Sequence, residues 1–565
     1  MFAMRSSASE KRALRSRSFV RDESGNSAIV FGLTLMPILV LGGASVDLAR
    51  LNEKRSDLQQ AVDLVTLAMA KDLASGQGAA SPADQARRIF SGVSRDPEAR
   101  LTEGSPTINA TTGEVCVSAT TTVPTAIMSL VQIMTMPTSA SGCAAVAQGT
   151  YEVALVLDTT GSMAQEAVGG AKIDALKTAA TQFVNYMYNS PSLGPRTKIT
   201  LVPFAATVKL DPSTYANASF VDTQGLSSWT WKSPAFAADA SVATSRFDLF
   251  ARLANIKSSW AWAGCFESLP YPRNVRDVSP VSGDPETQFV PMLAPDEPDG
   301  KYTTTYYDSR GRLRTISVSD PHDYSNDYLD DHGQCVTPQP TGSTTADELT
   351  KQSRMCKYPN GTSTSSSSSV GPNALCTTQS LLRMQTSSGA LITKINNLNA
   401  SGWTNIHEGF MWGWRAISPN GPLADGRAYD APNNAKVIVL MTDGQNTWNA
   451  LSNPINRSNY SAYGFFTQAN GRMPAAHQNI DTEAKSRAAM DALTLEACSN
   501  ARAAGVTIYT IGFSGTYDPI DQQGKDLLTA CAGSPTRAFL TGSASGLQSA
   551  FAEIGDQIGK LRLTR

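Results

Sequence analysis

The chain has 565 residues, several times what one hydrophobic core needs, so two or more structural units are expected. Its 47 Lys and Arg against 49 Asp and Glu give a net charge of -2, and only 17% of residues are charged, which excludes a global basic field for holding nucleic acid. A hydrophobic fraction of 41% suits a globular body carrying one apolar segment, and excludes both a polytopic transporter and a wholly disordered chain.

Ser27 to Val46 (SAIVFGLTLMPILVLGGASV) is a run of 20 residues without a charge. As a helix rising about 1.5 Å per residue, it spans roughly the 30 Å of a bilayer's hydrocarbon. Arg5, Lys11, Arg12, Arg15, Arg17 and Arg21 precede it, whereas the 26 residues that follow hold only four basic side chains. The positive-inside rule therefore orients residues 1–26 to the cytoplasm, makes 27–46 a transmembrane helix, and puts the bulk of the chain outside the cytoplasm. A cleaved signal peptide fits less well, because its apolar core would be unusually long and no small-x-small site stands out. A prepilin-type leader ending at Gly25 would want Glu at the fifth residue beyond it, where Val30 stands.

Beyond the apolar run, Leu48, Leu51, Leu58, Val62, Val65 and Met69 recur at helical spacing, so the helix is predicted to continue to about Ala74 as an amphipathic stalk. The stripe serves either to pack on the module that follows or to self-associate. From about Ala83 to Gln148, Thr-rich alternation (EVCVSATTTV) predicts a short β-rich module, so residues 47–148 form one stalk-and-module region.

From Tyr151 the grammar changes. Apolar runs of buried-strand length fall at 152–158, 198–204, 435–443, 506–512 and 537–540. Helical patterns fall near Ala171–Met187, Leu381–Leu398, Ile406–Ile417, Thr482–Ala504 and Ala544–Leu561. The alternation predicts a doubly wound α/β sheet over 150–565, with functional groups at the carboxyl ends of its strands. It is interrupted from about 211 to 380 by an insertion rich in Pro, Tyr, Asp and Ser, whose run 361–370 (GTSTSSSSSV) reads as a solvated loop.

The eight cysteines suit an extracytoplasmic, oxidising setting. Their positions suggest the pairs Cys116–Cys143 and Cys498–Cys531, with two further bridges among Cys265, Cys335, Cys356 and Cys376 in a connectivity left open. A zinc site built from His322, His332, Cys335 and Cys356 matches no strong spacing signature. All eight tryptophans lie in the insertion or near the motifs after it, as core residues or as anchors at the mouth of a site.

The first α/β strand runs into Asp158-Thr159-Thr160-Gly161-Ser162-Met163, a carboxylate and two hydroxyls on a turn that opens a helix. Gly402-Trp403-Thr404-Asn405 lies between two predicted helices, and the strand KVIVLMTDG ends in Asp443. Topology brings these three segments to one edge of the sheet. Carboxylates and hydroxyls there suit a hard divalent cation and supply no obvious general base.

The pattern D-x-T-G-S, with a later T-N and a strand-end T-D-G, resembles the metal-ion-dependent adhesion site of von Willebrand factor A domains. The resemblance implies that hydroxyls of Thr160, Ser162 and Thr404 ligate the ion, that Asp158 and Asp443 hold it largely through water, and that an open position accepts a partner's carboxylate. It implies Mg2+, or Mn2+ or Ca2+, as the ion. Thr160 stands where Ser is usual, which keeps the oxygen. The anchor ESGNSAIVFGLTLMPILVLGGASVDLARL with DLQQAVDLVTLAMA resembles the TadG-like N-terminal segment of tight-adherence (Flp) pilus assembly proteins. Further patches are WAGC at 262–265, FVPMLAPDE at 289–297, GPNALCT at 371–377, NIHEGFMWGWRAISP at 405–419 and VIVLMTDGQNT at 437–447. This resemblance implies a single-pass bacterial inner-membrane protein that binds a pilus or envelope partner from a periplasmic or surface-facing domain. The competing expectation is a structural envelope tether with a vestigial metal site, its contacts made by the insertion.

Enzyme readings are weaker. A phosphatase D-x-D would need a carboxylate where Thr160 stands, and neither a phosphate loop nor a G-x-S-x-G elbow is present. His407 and Glu408 open the helix after Thr404 and are expected at the surface, or in a supporting role, rather than as a base.

Overall fold

A computed structural model describes residues 24–560 except 75–80, 110–112, 146–148, 191–192, 300, 308–309, 320–325, 331–334, 336–339, 341–343, 360, 364–368, 449, 452–454, 469–470 and 516–517. At 24–29, 36, 39, 41, 145, 301–307, 316–319 and 560 it describes the backbone alone. The contacts divide the chain into two units, Met1–Gln148 and Gly149–Arg565.

In the first unit, helix α1 (Ser24–Ala74) is continuous through the apolar run and the stalk, with Pro37 inside it. Among the described residues no helix is long and apolar enough to cross a membrane. The run expected to do so lies within α1, partly among the residues described by backbone alone. Downstream, Leu58, Val62, Val65 and Met69 are buried against helix α2 (Pro82–Val93), through Ala86 and Phe90, and against a small sheet. Leu48 at the head of the same stripe is 50% exposed, so only the lower stripe packs on the module. The module, expected as a small β-rich α+β unit, opens with α2, which Ser81 caps and Pro82 starts.

The small sheet comprises β1 (Arg100–Leu101), β2 (Thr107–Asn109), β3 (Glu114–Pro124) and β4 (Thr135–Ala145). Strand β3 buries Val115, Val117, Ala119, Thr121 and Val123 and turns the residues between them outward, as the alternation predicts. It pairs antiparallel with β4 from Glu114 opposite Ala145 to Pro124 opposite Thr135. Cys116 and Cys143 face each other in that register and are bonded.

The second unit is built on a six-stranded sheet. Its strands are β5 (Thr150–Asp158), β6 (Thr197–Phe204), β9 (Leu382–Gln385), β10 (Asn434–Thr442), β11 (Thr507–Phe513) and β12 (Ala538–Thr541), in the order β9-β6-β5-β10-β11-β12. Between β6 and β9 a hairpin of β7 (Lys301–Tyr307) and β8 (Leu313–Ser319) interrupts the numbering without joining the sheet. All the pairings are parallel except that of β9, which is antiparallel to β6. The predicted helix over 381–398 is thus corrected. Its first third is this edge strand, and only α6 (Ser388–Asn396) is helical, because the β-edge pairing with β6 overrides a helical pattern at its weak end.

Strand alternation sorts the two faces. Val153, Leu155, Leu157, Val437, Val439 and Met441 pack with α3 (Lys172–Asn189), α6 and α10 (Ala544–Lys560). Ala154, Val156, Val202, Phe204, Ile438 and Leu440 face α7 (Ile406–Ile417), α8 (Glu483–Ala503) and α9 (Gln522–Ala532). Burial on both faces explains why these strands read as unbroken apolar runs. Helix α7 lies close on the sheet because it carries Gly409 and Gly413 one turn apart: a Cβ at the first would come within 2.5 Å of Phe204, and at the second within 2.3 Å of Val156.

The insertion is ordered over most of its described length and shares the core of the second face. Helices α4 (Arg246–Ile256) and α5 (Thr345–Ser353) are its longer ones, both with capping boxes. Phe220, Phe266, Phe289 and Trp412 form one ring cluster beneath it. A second irregular segment, between Asp443 and α8, joins the same cap through Tyr460, Tyr463 and Phe466. The disulfides left open in sequence are Cys265–Cys376 and Cys335–Cys356, and the pair Cys498–Cys531 also forms. Bonding Cys335 to Cys356 consumes both thiols of the conceivable zinc set; His322 and His332 lie outside the described residues.

Candidate metal centre

Strand order reverses between β5, whose successor β6 lies to one side, and β10, on the other. The crevice beyond the carboxyl ends of these two strands is the place where an open α/β sheet presents ligand-binding groups. Asp158 is the last residue of β5 and Asp443 the first after β10.

The turn after β5 is locked from several sides. Thr159 donates through both its backbone N–H and its Oγ1 to the Phe204 carbonyl, each at 2.9 Å. Gly161 N–H donates to the Gly402 carbonyl at 2.9 Å, and Ser401 N–H to the Thr159 carbonyl at 2.8 Å, so the 401–405 segment is stitched to the 158–162 turn. Gly402, at φ 89°, takes the left-handed conformation this crossing needs. Asn405 caps α7 by accepting from Glu408 N–H, and that cap, with the close seat of α7, holds the preceding Thr404.

The five residues expected from sequence come together here. Asp158 is fully buried; its Oδ1 accepts from Thr160 N–H at 2.8 Å and its Oδ2 from Thr442 Oγ1 at 2.6 Å. The hydroxyls of Thr160 and Ser162 lie 3.0 Å apart, and Ser162 Oγ donates to Asp443 Oδ1 at 2.8 Å. Thr404 is bonded through its backbone, its N–H donating to Thr447 Oγ1 at 3.0 Å and its carbonyl accepting from Thr447 N–H at 3.0 Å. Its hydroxyl makes no hydrogen bond among the described residues. Ser162, Thr404 and Asp443 line a cleft of about 430 Å3, together with Trp403, Gln445 and Asp518.

Sequence reasoning missed Lys172. Its ammonium donates to Asp443 Oδ2 at 2.8 Å, and neither side chain is exposed. The available signal was a lone lysine opening a helix, where the helix dipole disfavours a cation unless a carboxylate is beside it. Asp518, an exposed acid on the cleft wall, had no signal in the strand pattern.

Burial raises the Asp158 carboxyl, and the neighbouring Asp443 carboxylate adds to the rise, to about 7. Asp443 is also raised, chiefly by burial, with Lys172 opposing. Two carboxylates that resist ionisation and three hydroxyl oxygens, that of Thr404 unbonded, make a donor set suited to a hard divalent cation, which would relieve the charge repulsion. Among the described residues, the one group of three or more His, Cys, Asp or Glu ligand atoms in mutual reach is Glu114, Cys116 and Cys143, whose thiols are spent in a disulfide.

The surface placement of the helix start after Thr404 is corrected. His407 and Glu408 are buried rather than at the surface. His407 Nε2 lies 2.8 Å from the Asn274 carbonyl and Nδ1 2.8 Å from the Tyr463 hydroxyl, and burial depresses the imidazole to about 4. It is a neutral structural residue under the irregular cap. Trp260, Trp262, Trp412, Trp414 and Trp448 are core residues, whereas Trp403 stands on the cleft.

No curated protein matches the chain. Among solved structures, the pilus adhesin SpaC from Lactobacillus rhamnosus GG is 12% identical over 82% of this chain and 35% of its own, with a TM-score of 0.31, so this chain spans about a third of that one. The PilB minor pilin from Streptococcus sanguinis is 13% identical over 82% and 77%, with a TM-score of 0.31. The vWF domain of the type V pili tip protein Mfa5 from Porphyromonas gingivalis is 11% identical over 74% and 99%, also at 0.31. Residues 25–71, within α1, match the Tad family model, "Putative Flp pilus-assembly TadE/G-like".

Proposed function

We propose that this chain is a membrane-anchored, pilus-associated binding protein. In this reading residues 27–46 cross the bacterial inner membrane with the N-terminus in the cytoplasm, and the second unit, periplasmic or surface-facing, captures a protein of the pilus or envelope through a divalent cation. Mg2+ is the first candidate, with Mn2+ or Ca2+ as alternatives, held by Asp158, Thr160, Ser162, Thr404 and Asp443. The pilus part of the reading is supported by the Tad match over residues 25–71.

The observation that carries the metal part is the meeting of three distant segments at one cleft: Ser162 bonds to Asp443 and to Thr160, while Thr404 offers an unbonded hydroxyl on the same wall. A bound cation would supply a Lewis-acidic point for a partner's carboxylate. The chain's own residues prepare the place: Thr442 and Thr160 N–H orient Asp158, Ser162 orients Asp443, and Lys172 fixes the far oxygen of Asp443. Trp403 on the cleft supplies an apolar contact beside the charge.

Calorimetric titration of Mg2+ and Mn2+ into the metal-stripped, oxidised full chain, beside its Asp158→Ala variant, tests this reading. One saturable site that the variant loses is expected. A folded chain that binds neither ion would leave the second reading, a structural tether whose metal site is vestigial. One observation favours that reading: the ammonium of Lys172 already sits on Asp443 where a metal-binding carboxylate would be free.

A further inference from the structure

The turn joining β3 to β4 is unlike an ordinary surface loop. Such loops are normally built of small and polar residues, yet this one reads Ile127-Met128-Ser129-Leu130-Val131-Gln132-Ile133-Met134. Its apolar side chains point outward: Leu130 is 73% exposed, Val131 47%, Ile133 42% and Met134 63%. Four large apolar groups within five residues form a contiguous patch rather than scattered surface hydrophobes.

The turn is fastened at one level of α1. Asp47 accepts hydrogen bonds from three successive backbone N–H groups, those of Ala126 at 2.8 Å, Ile127 at 2.9 Å and Met128 at 2.8 Å. One turn earlier on the helix, Ile127 packs so closely on Gly43 that a Cβ there would lie 2.1 Å from its Cγ2. Gly43 and Asp47 are the last turn of the uncharged run and the residue that ends it. The same helix exposes Val30, Phe31, Leu33, Ile38 and Val46, so the patch continues an apolar surface that begins on α1. Asp47 is the first charged residue after the run, and its carboxylate is covered by the turn's own N–H donors, which removes the cost of holding a bare charge beside hydrocarbon.

We propose that the 127–134 turn is a membrane-interface foot: Leu130, Val131, Ile133 and Met134 sit in the boundary between headgroups and acyl chains of the bilayer that α1 crosses. The proposal rests on the reading of 27–46 as the anchor. It fixes the first unit against the bilayer at two points, the helix and the turn, so that the unit cannot swivel freely about α1. Partial immersion of apolar side chains beside a polar backbone is the usual physics of such an interfacial contact.

The test uses the full chain reconstituted in phosphatidylethanolamine–phosphatidylglycerol vesicles, with and without lipids brominated near the headgroup end of the acyl chains, which quench tryptophan by contact. Three variants are compared with the wild type, whose native tryptophans set the baseline: Leu130→Trp in the turn, Phe31→Trp in the anchor and Glu103→Trp on an exposed polar turn of the same unit. Brominated lipid is expected to remove about half or more of the added emission from Leu130→Trp, a comparable share from Phe31→Trp, and none from Glu103→Trp. Quenching at Phe31→Trp without quenching at Leu130→Trp overturns the foot and leaves the anchor standing, including the case in which the Leu130→Trp emission is blue-shifted by contact with another protein copy. No quenching at Phe31→Trp overturns the anchor reading and the foot with it.

Discussion

The two faces of the six-stranded sheet are covered by different physics. On one, α3, α6 and α10 meet Val153, Leu155, Leu157, Val437, Val439 and Met441 in an apolar contact that the strand alternation specifies by itself. On the other, α7, α8 and α9 share the cover with an irregular cap that buries charges: Glu267 lies between Arg246 at 3.2 Å and Arg472, and Lys357 meets Asp296 at 2.8 Å. Glu408 Oε1, both Nη atoms of Arg415 and Asp277 Oδ1 are buried there without a hydrogen bond among the described residues. The first face is stable because its residues are apolar and of the right size. The second is stable only while each charge keeps its partner, since an ion pair in a protein interior returns little beyond its own desolvation.

That contrast is testable by removal. Glu267→Ala leaves two guanidinium groups buried without their carboxylate and is expected to cost about 3–5 kcal/mol. Leu155→Ala, on the apolar face, opens a cavity and costs about 2–5 kcal/mol. The separating variant is the triple change Arg246→Met, Glu267→Leu and Arg472→Met, which removes charge and partner together and should recover most of what Glu267→Ala loses. Urea unfolding of the oxidised protein reads all three. A Glu267→Ala cost below about 1 kcal/mol, or a triple variant less stable than the single one, would abolish the distinction between the faces.

The same contrast explains what the sequence disclosed. Four sheet strands and helix α7 follow from apolar periodicity, because both faces of each of those strands are buried and little else competes, while the half-exposed edge strand β12 showed only as a short apolar run. Asp158 and Asp443 were legible because a strand end fixes where the next residue lies. The cap was not: its contacts join Arg246 to Glu267 and Glu267 to Arg472 across 21 and 205 residues, and no local period encodes such pairs. Lys172 was missed for the same reason, its partner lying 271 residues away. His407 was read as a surface or supporting residue because a helix start is usually exposed; the cap that covers it comes from the least periodic part of the chain.

Lys172 carries the comparison into the cleft, since it is a buried charge of the second kind at the edge of a sheet of the first kind. Lys172→Met leaves Asp443 without its cation, so the metal-free protein should melt at lower temperature than the wild type. A divalent ion should then bind at least about tenfold more tightly, about 1.4 kcal/mol, because it no longer competes with a fixed ammonium. Titration of Mn2+ into both proteins reads the difference. Equal or weaker binding by the variant would mean that Lys172 serves to orient Asp443 rather than to stand in for a cation.

The smallest effect concerns protons. Burial and the nearby Asp443 carboxylate raise Asp158 to about 7, from an ordinary value of 3.8. The folded chain therefore holds a proton that the unfolded chain releases, and between pH 4 and 7 the unfolded state binds fewer protons than the folded one. Stability from this group is fully present below the ordinary value and is lost as pH rises through the folded value. Mg2+ bound at the proposed site would act in the opposite sense, because both carboxylates would have to be ionised to hold it, so its binding would expel protons below neutrality and none well above it. Melting of the metal-free chain should fall from pH 5 to pH 8, and the rise in melting temperature caused by Mg2+ should be near zero at pH 5 and largest at pH 8. Asp158→Asn, which carries no titratable proton, should flatten the metal-free trend while also losing the Mg2+ response. A Mg2+ effect of equal size at both pH values would place the ion away from these two aspartates and return the cleft to a purely structural role.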